Sequence, residues 1–137
     1  MMGVQLLTSH RPKKRLSEKK IWNYLNQFQK ENKEAHFTRI ESSTINGIPD
    51  VYCVHQGYSF WLELKANAVK NCNMSKFQMV WHINNKRAGG NCFILNWPLL
   101  ELGPKLLEVR EPSAVVPVST VPVPVLHILL WLEDVIL

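Results

Sequence analysis

Residues 47–65 read GIPDVYCVHQGYSFWLELK. Two runs rich in β-branched and aromatic residues, Asp50 to His55 and Tyr58 to Lys65, flank the dipeptide Gln56-Gly57. Runs of that composition suit strands, and a two-residue spacer ending in glycine suits a tight hairpin turn. Counting outward from a His55–Tyr58 pair sets Cys53 against Phe60, Val51 against Leu62 and Asp50 against Glu63. Side chains alternate along a strand, so Lys65 projects from the same face as Glu63, while Leu62 and Leu64 take the other.

Carboxylates opposed across a hairpin, with Cβ atoms roughly 4.5–5.5 Å apart, repel each other unless a cation lies between them. Asp50 and Glu63 can supply oxygen ligands to one hard cation, Mg²⁺ or Mn²⁺, which keeps several waters in such a site. A metal-bound water ionises more readily, and an ammonium beside it can position it and neutralise charge developing on phosphorus. Asp50, Glu63 and Lys65 together therefore suit phosphodiester hydrolysis. The same spacing also fits a bland alternative, a Glu63–Lys65 surface ion pair worth less than about 1 kcal/mol.

Upstream, Arg11, Lys13, Lys14, Arg15, Lys19 and Lys20 crowd one short segment, followed by Ile21, Trp22, Leu25 and Phe28 at helical spacing. This predicts a basic arm over residues 1–16, able to grip a sugar-phosphate backbone, leading into a helix capped by Ser17. Phe37 to Glu41 reads as a strand. Downstream, Ser75 caps a second helix bearing Phe77, Met79, Val80, Trp81 and Ile83, with Ser75, Gln78, His82 and Asn85 on one face. Gly89-Gly90 closes it before a strand from Cys92 to Trp97. The expected order is α-β-β-β-α-β, an α/β domain over residues 17–110 with a central mixed sheet flanked by helices. Leu99 to Val109 reads as a short helix. Residues 111–137, with prolines 112, 117, 122 and 124, read as an extended tail outside the domain with a short helix from Val125.

The chain of 137 residues carries 16 Lys and Arg against 11 Asp and Glu. Glu111, Glu133 and Asp134 are the only charged residues beyond Arg110, so residues 1–110 hold +8. Such a body makes a polyanion the first partner to consider. Cys53, Cys72 and Cys92 form no CxxC pair, which argues against a disulfide framework or a zinc knuckle. Met1 to Leu7 is too short for a signal-peptide core, and the apolar stretch Val125 to Leu132 is far below spanning length. The expectation is a cytoplasmic protein, neither secreted nor bound to membrane, with no small-molecule cofactor. His36 and His55 lack metal-ligand partners at suitable spacing and read as structural, while His82, on the Gln78 face, reads as a partly buried polar residue in preference to a phosphate contact or proton-transfer group. Trp22, Trp61, Trp81 and Trp97 fall on apolar faces, which favours core packing over base stacking.

Gly47-Ile48-Pro49-Asp50, Glu63-Leu64-Lys65 and Ser75-Lys76-Phe77-Gln78, in that order, closely resemble the PD-(D/E)xK nuclease superfamily. Within it they resemble the VRR-NUC branch of small, often phage-encoded nucleases, over about Ser17 to Trp97. The resemblance implies a restriction-endonuclease-like core in which Asp50, Glu63 and the backbone carbonyl of Leu64 bind the metal. Lys65 would stand beside the attacking water and Gln78 close by. Such families place a further acid on the first helix, where Glu18 matches, with Glu41 on the first strand as the rival. The resemblance further implies homodimeric resolvases that cut branched DNA such as Holliday junctions, leaving 5′-phosphate and 3′-hydroxyl ends, in the host cytoplasm for a phage-encoded enzyme. Two other readings stay open: a nicking, repair or restriction-type nuclease on linear DNA, and a non-catalytic nucleic-acid-binding module.

Overall fold

The computed structural model describes residues 14–42, 44–110 and 114–135. Among them the elements run α1 (Glu18–Glu31), β1 (Ala35–Arg39), β2 (Val51–His55), β3 (Tyr58–Lys65), α2 (Lys76–Arg87) and β4 (Cys92–Asn96). Then come β5 (Lys105–Arg110), β6 (Ala114–Pro117) and α3 (Val123–Asp134), with short 3-10 turns at Lys70–Asn73 and Leu100–Leu102. The six strands form one sheet in chain order. All neighbours are antiparallel except β3 and β4. A parallel pair needs a crossover, which α2 supplies, whereas the antiparallel pairs need only short returns. The chain is α/β, a mixed sheet with helices on both faces.

Local chemistry sets the helix starts. Ser17 Oγ accepts the Lys20 amide at 3.2 Å, and Glu18 stands in the first turn of α1, where a carboxylate meets the positive end of the helix dipole. Ile21, Leu25 and Phe28 recur on one buried stripe of α1 and pack with α3 against Phe37, Val51, Cys53, Phe60, Leu62 and Leu64. On the opposite face α2 covers a smaller cluster of Met79, Cys72, Ile94 and Val109. The hairpin register is the one its two-residue turn requires, with Val51 opposite Leu62 and His55 opposite Tyr58.

Two expectations are corrected. Leu99 to Val109 is not a helix: after one 3-10 turn it becomes β5, because β4 would otherwise present an unpaired strand edge, and Leu106 and Leu107 supply the partners for Leu95 and Ile94. Of the expected tail, residues 114–135 are part of the domain. β6 extends the sheet beyond β5 as its edge strand, where Pro117 costs no interior hydrogen bond. Pro122 and Pro124 sit at the start of α3, where a missing N–H leaves nothing unpaired, and Val125, Ile128, Leu129 and Leu132 join the main core. Glu111 and Pro112 lie outside the described residues, as do Arg11 and Lys13 of the arm. Residues 14–16, the described end of the basic arm, are tied to the domain. The Leu16 amide donates to Pro98 O at 3.1 Å and the Leu100 amide to Lys14 O at 2.9 Å, which fastens them to the loop after β4.

Candidate metal centre

The site lies at the open end of the β2–β3 hairpin, on the face that carries α2. Asp50 immediately precedes β2, and its backbone carbonyl accepts the Ile40 amide at 2.7 Å. Its carboxylate Oδ2 accepts the Leu64 amide at 2.8 Å. In a strand the amide and carbonyl of one residue point to the same side, so the Leu64 carbonyl also faces Asp50. Gly47 explains how the loop before Asp50 comes so near α2. It has φ +84°, and a Cβ there would lie 2.3 Å from the Phe77 carbonyl oxygen, so a side chain at this position would push the two segments apart.

Glu63 and Lys65 are 2% and 8% exposed, which excludes the surface ion pair left open above. The Gln78 amide stands between them. Lys65 Nζ donates to Gln78 Oε1 at 3.2 Å, and Gln78 Nε2 donates to Glu63 Oε2 at 3.1 Å. Gln78 Oε1 also accepts the Ser75 amide at 2.9 Å, while the Gln78 amide donates to Ser75 Oγ at 3.1 Å. The capping box at the start of α2 thus fixes both ends of the side chain that links Lys65 to Glu63.

One atom of this network is unsatisfied: Glu63 Oε1 is buried with no hydrogen-bond partner. Burial is the main cause raising the Glu63 pKa, reinforced by the Asp50 carboxylate within reach of it, against Lys65, which lowers it. Two carboxylates within such reach hold either a proton or a cation between them, because ionised and bare they repel in a poorly hydrated place. The donor set, carboxylate oxygens with a neighbouring backbone carbonyl, is hard and suits Mg²⁺ or Mn²⁺. Asp50, Glu63 and the Leu64 carbonyl therefore fit such an ion. Among the described residues no group of three or more His, Cys, Asp or Glu gathers at metal-binding spacing, so the cluster is one of two carboxylates.

Glu18, at the start of α1, is exposed yet electrically coupled to the site. Its pKa is raised by partial enclosure and by Asp50, against Lys65 and Arg39, which lower it. Glu41 is exposed beyond the end of β1. Lys14, Arg15 and Lys20 line a hollow of about 350 Å³ with Asn23, Tyr24 and Gln27; Lys19 does not line it. Arg15 and Leu16 also border a second groove, about 540 Å³, that reaches Ala66 and Asn67 just past Lys65. His82, on the buried side of α2, is fully enclosed, and neither ring nitrogen has a partner. Burial lowers its pKa to about 4, helped by the Lys86 and Lys65 charges, which keeps the ring neutral.

The tryptophans divide. Trp97 is fully buried, as expected, and its Nε1 donates to Leu100 O at 3.3 Å. Trp61 and Trp81 are only half-buried and form a row with Tyr52 beside the carboxylates. Their apolar character concealed this position, although the register already placed Tyr52 against Trp61. No protein-family model and no curated protein matches the chain. The fold and site define an α/β protein with two carboxylates and an ammonium gathered at the open end of a central hairpin.

Proposed function

We propose that this chain is a divalent-metal-dependent endodeoxyribonuclease of the PD-(D/E)xK, VRR-NUC type with a restriction-endonuclease-like core. It hydrolyses phosphodiester bonds in branched DNA such as Holliday junctions and works as a homodimer. The carrying observation is the buried Glu63 carboxyl, one oxygen without a partner, coupled to the Asp50 charge and one amide away from Lys65. Mg²⁺ or Mn²⁺, held by Asp50, Glu63 and the Leu64 carbonyl, would supply Lewis acidity and lower the pKa of a bound water.

The residues divide the remaining work. Glu63 would hold the ion as its carboxylate, the form that burial and Asp50 disfavour and that a cation would compensate. Gln78 holds the Glu63 carboxyl and the Lys65 ammonium in fixed relation, so neither has to reorganise as charge develops. Lys65 provides the positive charge for the phosphorane and orients the attacking water. Glu18 adds a further negative charge at the rim. The groove that Arg15 borders up to Ala66 and Asn67 offers a path for the sugar-phosphate backbone, and Lys14 and Lys20 line the hollow that shares Arg15 with it.

The test is cleavage of a four-way junction in Mg²⁺ by Asp50→Asn and Lys65→Ala. Each variant is expected to lose roughly 10²–10³-fold or more in rate while junction binding persists. Undiminished cutting by Asp50→Asn would overturn the assignment. A matched linear duplex, cut as fast as the junction by the unaltered protein, would keep the chemistry and remove the preference for branches.

A further inference from the structure

We infer that the sheet surface next to the carboxylates is a stacking ledge for unpaired bases, so that DNA reaches the site with nucleotides single-stranded beside the scissile phosphate. The inference rests on the nuclease reading for what the ledge feeds, and it specifies the substrate: strands with unpaired bases at the cut.

Tyr52 and Trp61 are direct partners in the β2–β3 ladder, each two residues along its strand from Asp50 and Glu63 respectively and on the same face. Their ring centroids are 4.8 Å apart, and Trp81 of α2 follows at 5.2 Å from Trp61. Two residues of strand advance about 6.6–6.8 Å, comparable to one nucleotide of extended chain. A phosphate at the carboxylates therefore sets its neighbouring base against the aromatic pair. The row ends beside the site as well: Phe77 is 61% exposed, precedes Gln78 and shares the Trp81 side of α2 at four-residue spacing.

The surface is open. α2 lies over β4 and β5, and His36 and Thr38, which flank the aromatic row on β1, are exposed. Among the described residues neither the Trp61 nor the Trp81 indole N–H donates to a protein group, in contrast to Trp97. The composition decides between occupants. Rings alternate with the hydroxyl or imidazole groups of Thr38, Ser59 and His36, and none of these residues is acidic, whereas the core of a homodimer interface is more uniformly apolar. Aromatic faces amid small polar groups, on a basic body, fit bases and sugars.

The experiment measures binding in EDTA, without cleavage, using a labelled oligothymidylate and a blunt duplex as probes. Trp61→Leu and Trp81→Leu are each expected to weaken oligothymidylate binding about tenfold. Duplex affinity should hold, and Trp81→Phe should retain most of the single-strand affinity. Unchanged thermal melting of Trp81→Leu controls for folding. Equal losses on both probes, or no loss on either, would overturn the ledge. So would Trp81→Leu turning a dimer into a monomer in sedimentation while oligothymidylate affinity stays the same, which would assign the face to a second copy of the chain. The two proposals fail separately. Junction cutting that ignores Asp50→Asn removes the metal site and leaves a Trp81-dependent binding surface standing; junction cutting by a protein whose binding ignores Trp81 removes the ledge alone.

Discussion

On the α1–α3 side of the sheet, β3 presents Phe60, Leu62 and Leu64, none more than 2% exposed, to a contiguous apolar core. On the α2 side the same strand presents Trp61, Glu63 and Lys65, backed by the buried His82 and a much smaller apolar cluster. The first face contributes stability, since burying each large aliphatic or aromatic side chain is worth roughly 1.5–3 kcal/mol. The second gives up part of that gain to hold ionisable groups away from water, where only hydrogen bonds, a proton or a cation make them tolerable. A strand's two-residue period is what lets one segment do both. The dry face fixes the backbone of β3, and that fixed backbone aims Glu63 and Lys65.

The largest expected effect tests the dry face. A chain ending at Arg110 lacks β6 and α3, hence Val125, Ile128, Leu129 and Leu132, and opens the core over α1. Four such burials at roughly 1.5–3 kcal/mol each are of the same size as the net stability of about 5–15 kcal/mol typical of a domain. The truncate should show no cooperative melt by circular dichroism; a native-like melt would mean that α3 is dispensable.

The polar face should betray itself in pH dependence. Glu63 has a folded pKa above its ordinary value, so its contribution is fully present below that value and is lost as pH rises. In EDTA the protein should lose stability as pH rises above the ordinary carboxylate range, and Glu63→Gln should flatten that slope in denaturant titrations. Identical slopes for the two proteins would contradict the picture of a protonated, buried carboxyl. His82 acts with the opposite sign. Its folded pKa is lowered from 6.5 to about 4, so its contribution is present above 6.5 and is lost as pH falls towards 4. The total is about 3 kcal/mol, and His82→Leu should remove that acid sensitivity; persistence of the full acid loss would point to another group.

The smallest effect sharpens the link between α2 and the site. Ser75→Ala deletes the cap and should cost about 1 kcal/mol in urea melts. Because the same cap helps to hold Gln78, junction cleavage should fall by more than that loss of stability explains. A rate that simply tracks the folded fraction would make Ser75 a cap and nothing else.

Much of this comparison could be read before folding was considered. Composition marked both hairpin strands, Gln56-Gly57 marked the turn, and the count outward from it placed Asp50 beside Glu63 and Lys65 on the Glu63 face. The Ser75 cap was legible for the same reason: these are effects within a few residues, governed by propensity and alternation. The prolines of residues 112–124 misled because they report what cannot sit in a strand interior or a helix middle. They say nothing about an edge strand or a helix start, the positions Pro117 and Pro122 to Pro124 take. Leu99 to Val109 failed similarly, since its strand exists to satisfy the edge of β4.

Residue order by itself thus determined the hairpin, its register, the basic balance and the identity of the charged trio, because each follows from neighbours along the chain. Only the tertiary structure decided that Glu63 and Lys65 are buried, that Gln78 bridges them, and that α3 completes the core. It alone left Tyr52, Trp61 and Trp81 half-open beside the carboxylates. Burial depends on which distant segment comes to lie over a face, and no local pattern of side chains contains that information.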